Sequence, residues 1–175
     1  MKNKSIVALF VLLSISLIGF SQQKEWGSGL RIGEPGGFMI RKYLKNGINA
    51  IEVNMGTYGG LWGTHRNYKA GTFQNIGYSV NVMYLWHHPT ILNPNIQTYY
   101  GVGPQYTVRD YYAPGQEIAT EVRKALGGSV IGGVEYFPID APNLSFFSEL
   151  GFYSEISPNP FFTHVQGGVG VRVNF

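Results

Sequence analysis

The chain closes on an alternating segment that continues to its last residue. Counting back from Phe175, the residues Val173, Val171, Val169, Gly167 and Val165 share one face. Asn174, Arg172, Gly170, Gly168, Gln166 and His164 share the other. Alternation with an apolar face and a polar or bare face suits a strand that has lipid on one side and a polar interior on the other. Soluble domains usually fray at their ends, whereas a closed barrel pairs its last strand with its first. This segment therefore predicts the closing strand of a barrel.

The opposite end is consistent with export. Lys2 and Lys4 precede an apolar run from Ile6 to Phe20, and Gly19-Phe20-Ser21 places small residues where a signal peptidase reads. The expectation is a cleaved signal peptide over 1–21 and one domain over 22–175. The run is shorter than the roughly 20 residues of a spanning helix, and no long apolar run follows it. Without Lys2 and Lys4 the 13 basic residues become 11 against 10 acidic ones, so the mature charge of +1 gives no reason to expect nucleic acid. The absence of Cys removes a disulfide framework, a thiolate metal site and a lipid anchor on Cys.

Seven further segments have strand character: 25–33, 37–44, 49–58, 74–86, 96–109, 125–137 and 143–155. The clearest is 74–86, where Ile76, Tyr78, Val80, Val82, Tyr84 and Trp86 oppose Asn75, Gly77, Ser79 and Asn81. Lys45-Asn46-Gly47 fits a type I′ hairpin turn. Pro104 predicts a bulge or kink in the fifth segment. Lys42 falls on the apolar side of the second segment, where a lysine near an interface can snorkel. The expected fold is all-β, an eight-stranded antiparallel up-and-down transmembrane β-barrel. Short connections (45–48, 87–95, 138–142) alternate with a second set at 34–36, 59–73, 110–124 and 156–161. The two longest fall in that second set, as in barrels with short inner turns and long outer loops. The segment 117–124 has the composition of a short helical turn, and His87-His88 reads as part of a solvated turn.

The same alternation sends Arg31, Arg41, Arg109 and Arg172 inward together with Glu52, Glu135, Glu149 and Glu155. An eight-stranded barrel is just wide enough for side chains to fill it. Four cations and four anions in that space predict interlocking salt bridges and a largely plugged lumen. The rival expectation is a thin polar path whose ion selectivity these charges set. Inward glycines, among them Gly27, Gly168 and Gly170, leave room either for water or for large side chains from opposite strands.

The whole mature chain resembles the small eight-stranded outer-membrane β-barrel proteins of the porin-like superfamily of Gram-negative bacteria, the OmpA/OmpX-like kind. The resemblance rests on the signal segment, the eight alternating runs and Val171-Arg172-Val173-Asn174-Phe175. It implies residence in the outer membrane, contact with its lipid and lipopolysaccharide, and a terminal Phe175 read as an assembly signal by the barrel-assembly machinery. The resemblance implies architecture and location, and one fold hosts many functions.

Three function classes follow. The first is a non-enzymatic structural or surface-interaction barrel using its outer loops, where Arg66, Lys69, Arg123 and Lys124 would meet anionic lipopolysaccharide. The second is a small diffusion pore for ions or small solutes. The remote third is a lipid-modifying enzyme built on His164, with Ser154, Glu155 and Ser157 on the adjoining strand end. The stretch from Gly127 to Gly133 lacks the Lys-Ser/Thr ending of a phosphate-binding loop. No cofactor or metal is expected.

Overall fold

The computed structural model describes residues 24–44, 47–62, 65–90 and 93–175. The expected signal peptide over 1–21 lies outside the described residues, as do Lys45 and Asn46 of the expected hairpin turn. Gly47 of that turn is described, and its φ of 82° is the left-handed conformation that glycine adopts without penalty.

Ten strands follow in order: β1 (Trp26–Glu34), β2 (Gly36–Leu44), β3 (Asn49–Tyr58), β4 (Arg66–Tyr68), β5 (Gly71–Phe73), β6 (Gly77–Pro89), β7 (Ile96–Tyr112), β8 (Glu121–Tyr136), β9 (Leu144–Ser157) and β10 (Thr163–Asn174). Eight of them form the barrel, and β4 and β5 form a small hairpin attached to β7. Each long strand pairs antiparallel with the next. The barrel closes where β1 pairs with β10, from Gly27↔Asn174 to Glu34↔Gly167. Phe175 completes this seam, exchanging backbone hydrogen bonds of 2.9 and 2.8 Å with Trp26. The seam is close-packed: a Cβ on Gly33 would lie 2.2 Å from the Gly167 carbonyl oxygen.

The alternation divides the residues as expected. Leu30, Ile32, Tyr78 and Leu150 on the outer wall are 61–72% exposed, while Arg41, Glu135 and Arg172 inside are 0% exposed. Buried charges demand partners and exposed apolar groups demand a non-aqueous neighbour. The soluble-barrel pattern, apolar inside and polar outside, is inverted here. Lys42 stays on the outer wall with its ammonium 5.0 Å over the Trp26 ring.

Several local expectations are corrected. The segment 117–124 is not helical: β8 already begins at Glu121, where Asp110↔Val122 and Tyr111↔Glu121 continue the β7 ladder. The connection expected over 110–124 thus shrinks to 113–120. At Pro104 the β6–β7 ladder skips two positions between Asn81↔Gln105 and Tyr84↔Val102, then resumes in the same register. A missing N–H interrupts the ladder without adding a residue. The register shift of a bulge lies elsewhere, where β8 meets β9 between Leu126 and Gly127. The connection 59–73 is no open loop either, since it carries the β4–β5 hairpin.

Candidate functional site

The start of β1, Phe175 and the short connections share one end of the barrel, which we call the terminal end, and the β4–β5 hairpin sits at the other. Near the terminal end, strands β1, β2 and β10 send Arg31, Arg41 and Arg172 inward, and β3, β8 and β9 send Glu52, Glu135 and Glu149 to meet them. Arg41 bridges two carboxylates, with Nη2 2.7 Å from Glu52 and Nη1 2.8 Å from Glu135. Arg172 bridges the same two: its Nη2 lies 3.0 Å from Glu52, and its Nη1 is paired with Glu135. Arg31 lies 3.1 Å from Glu149. Three guanidinium groups meet three carboxylates, so this cluster carries no net charge.

Neutral side chains fill in around the ions. Ser145 donates to Glu135, and Tyr99 donates to Glu149. The guanidiniums of Arg41 and Arg172 each lie 4.7 Å from an aromatic centroid, Tyr99 and Phe147 respectively. Strand glycines make room for these large groups: a Cβ on Gly170 would sit 2.3 Å from the Phe147 ring, and one on Gly27 2.6 Å from Arg172 Cδ. At these positions the inward glycines serve side chains from neighbouring strands.

The eight charges named from the sequence are all buried, but they form two groups. Arg109 and Glu155 stand apart from the six, near the hairpin end. Arg109 donates 2.8 Å to the Asn75 carbonyl and lies over the Phe73 ring at 4.8 Å. Glu155 accepts from the Tyr68 hydroxyl and the Asn159 backbone N–H, both at 2.7 Å.

The hairpin spans this end of the barrel. Pairing ties it to β7 through Phe73↔Tyr111. Its other contacts reach across: Tyr68 to Glu155 on β9 and to Phe162 (4.9 Å between rings), Arg66 to Tyr58 on β3 (3.4 Å) and to Glu34 on β1 (4.0 Å). Tyr68, Phe73 and Tyr111 form a buried aromatic cluster. Burial and the hydrogen bond to Glu155 push the Tyr68 phenol well above its ordinary value, so it stays a donor.

Two sequence expectations for named residues are overturned here. His87 is buried in the lumen, not solvated in a turn, because β6 extends to Pro89. Arg41 Nη1 donates to His87 Nε2 at 3.0 Å. The signal was present: Gly77, Ser79, Asn81, Met83, Leu85 and His87 keep one parity. Glu34, read as the first residue of a connecting turn, instead ends β1 and is fully buried. Its Glu-Pro-Gly context gave no sign of the Arg66 guanidinium, which comes within 4.0 Å from more than 30 residues downstream in sequence.

Arg66 accordingly points to Glu34, and Arg123 pairs with Glu121. Lys69 and Lys124 remain exposed. His164 is surrounded by rings: Tyr58, whose hydroxyl lies 3.5 Å from Nδ1, Tyr153 at 5.1 Å and Phe162 at 5.6 Å between centroids. The Ser154 hydroxyl instead accepts from Thr163 at 2.9 Å.

No family model matches the chain, and no curated protein matches it. Solved structures do. The N-terminal β-barrel domain of Pseudomonas aeruginosa OprF superposes with a TM-score of 0.64 at 13% identity, covering 88% of this chain and 100% of that one. Neisserial surface protein A superposes with a TM-score of 0.52 at 17% identity, covering 86% and 93%. The fold is that of small outer-membrane β-barrels.

Proposed function

We propose that this chain is an integral outer-membrane barrel of Gram-negative type whose lumen is plugged, serving as a structural or surface-interaction protein and not as a pore. The observation that carries the reading is the neutral cluster of Arg31, Arg41, Arg172, Glu52, Glu135 and Glu149, linked across the barrel interior by ion pairs, with Arg41 Nη2 3.9 Å from Glu149 joining the Arg31–Glu149 pair to the rest. Separating such pairs in a narrow, poorly hydrated space is costly, so the cluster favours staying shut. The apolar outer wall supports residence in a bilayer, and the fold shared with known outer-membrane barrels supports that membrane in particular. In this reading residues 1–21 are removed on export and the terminal end faces the periplasm. Phe175 serves as the assembly signal for the barrel-assembly machinery. The hairpin end meets the surroundings of the cell, with Lys69 and Lys124 toward anionic lipopolysaccharide.

Cell fractionation and liposome swelling test this together. The expected result is protein in the outer-membrane fraction, shifted in gel mobility before boiling, whose proteoliposomes swell in a small sugar no faster than empty liposomes. Swelling above that baseline from verified folded protein would replace the plugged reading with the diffusion pore.

A further inference from the structure

The outer wall is uneven along the closing seam. Leu30 and Ile32 stand out from the middle of β1, 61% and 69% exposed. Beside them on β10 the outward residues are short: register sets Val171 next to Leu30 and Val169 next to Ile32. On the far side of β10 the wall rises again, with Phe146 of β9 next to Val171. The result is a ridge on β1 and, directly beside it, a groove of about 450 Å³. Val169, Gly170 and Val171 floor the groove, and Leu30, Ile32 and Phe146 wall it.

Ridge and groove are both apolar, and in the reading above both face the bilayer. Lipid tails match them in polarity, so association between proteins in that medium is decided by packing and by the freedom that lipid regains. Short side chains let two walls approach closely. A ridge fixed by its strand also fills a groove without the ordering cost that a mobile lipid chain incurs. Every copy inserted by one route stands with the same end outward. Two such copies can be related by a twofold axis along the membrane normal, the commonest symmetry of homo-oligomers. That rotation sets the ridge of each barrel opposite the groove of the other, because ridge and groove lie side by side at one height. The contact is self-complementary and closes at two copies.

We infer that the closing seam is a homodimer interface whose occupant is a second copy of this chain, with Leu30 and Ile32 of each barrel seated over Val169 and Val171 of the other. The contact lies wholly on the outer wall, so each copy keeps its own lumen and its own ion-paired cluster. The inference rests on bilayer residence and not on whether the lumen is plugged.

The test uses the full-length mature barrel refolded into lipid vesicles. The chain has no Cys, so Gln116→Cys, in the exposed connection after β7, takes one donor or acceptor dye per copy. Energy transfer between mixed copies should persist as vesicle lipid is increased. Leu30→Ala with Ile32→Ala trims the ridge, and Val169→Trp fills the groove. Each should weaken association by about tenfold or more, the order expected when packing at the centre of an interface is lost. Val80→Trp on β6, across the barrel from the seam, should leave it unchanged. Gel mobility before boiling verifies that each variant is folded. Transfer no greater than that of randomly dispersed barrels would overturn the dimer and leave the groove to lipid tails. Transfer that survives both seam variants, or that is lost with Val80→Trp, would also overturn it. Protein that never enters vesicles would refute bilayer residence itself, and the seam contact with it.

Discussion

The two ends of the barrel interior are filled by different chemistry. At the terminal end, arginine and glutamate side chains project from six barrel strands and neutralise one another. At the hairpin end, aromatic rings carried largely by connecting segments cover charges that stand in smaller groups. The first arrangement is fixed by the strand register, because each partner sits at a set height on a rigid ladder. The second depends on a three-residue-per-strand hairpin folding back across the barrel. Damage at the first end should therefore spread to the whole barrel. Damage at the second should stay local.

The largest expected effect is at the charged cluster. Arg172→Ala leaves Glu52 and Glu135 sharing Arg41 alone, and should lower unfolding stability by about 3–5 kcal/mol, measured by urea titration of the folded barrel in lipid. Alternation alone ranks Val171→Arg as the graver change in this strand, at about 2–4 kcal/mol for a charge facing mid-bilayer. The ion pairs reverse that order. If Arg172→Ala proved milder than Val171→Arg, the cluster would contribute less than its geometry indicates.

Tyr68→Phe should have a smaller and more local effect. It removes the hydroxyl that donates to Glu155, a bond worth about 1 kcal/mol, or up to about 3 kcal/mol because the acceptor is charged and buried. The expected readout is faster tryptic cleavage at Lys69 with an unchanged urea midpoint. A shifted midpoint would make the hairpin part of the barrel's cooperative unit and dissolve the contrast between the two ends. Smallest of all is Lys42→Ala on the outer wall. The lost cation–π contact with Trp26 should cost about 0.5–1 kcal/mol in the same titration.

The contrast between the ends also explains what the sequence made legible. A period of two records which face a strand residue takes, so the inward direction of Arg31, Arg41, Glu52, Glu135, Glu149 and Arg172 could be read directly. Which arginine meets which glutamate could not, because partners such as Arg41 and Glu135 lie 94 residues apart and their meeting depends on register around the closed barrel. His87 was readable in principle, since its parity continues that of Ser79 and Asn81, but the nearby Pro89 read as a turn residue. Glu34 and the β4–β5 hairpin were beyond this signal. Tyr68 and Phe73 are buried by contacts with β7, β9 and the β9–β10 connection, and nothing in Arg66-Asn67-Tyr68 announces them.

The central claim is that the ion-paired cluster shuts the barrel. Single-channel recording across a planar bilayer tests it most directly, using the mature protein refolded and verified by its gel mobility before boiling. The expected result is a baseline indistinguishable from protein-free bilayers over a range of voltages at high salt. Discrete, reproducible current steps from that protein would contradict the claim, and would show that an ion path runs past Arg41, Arg172, Glu52 and Glu135.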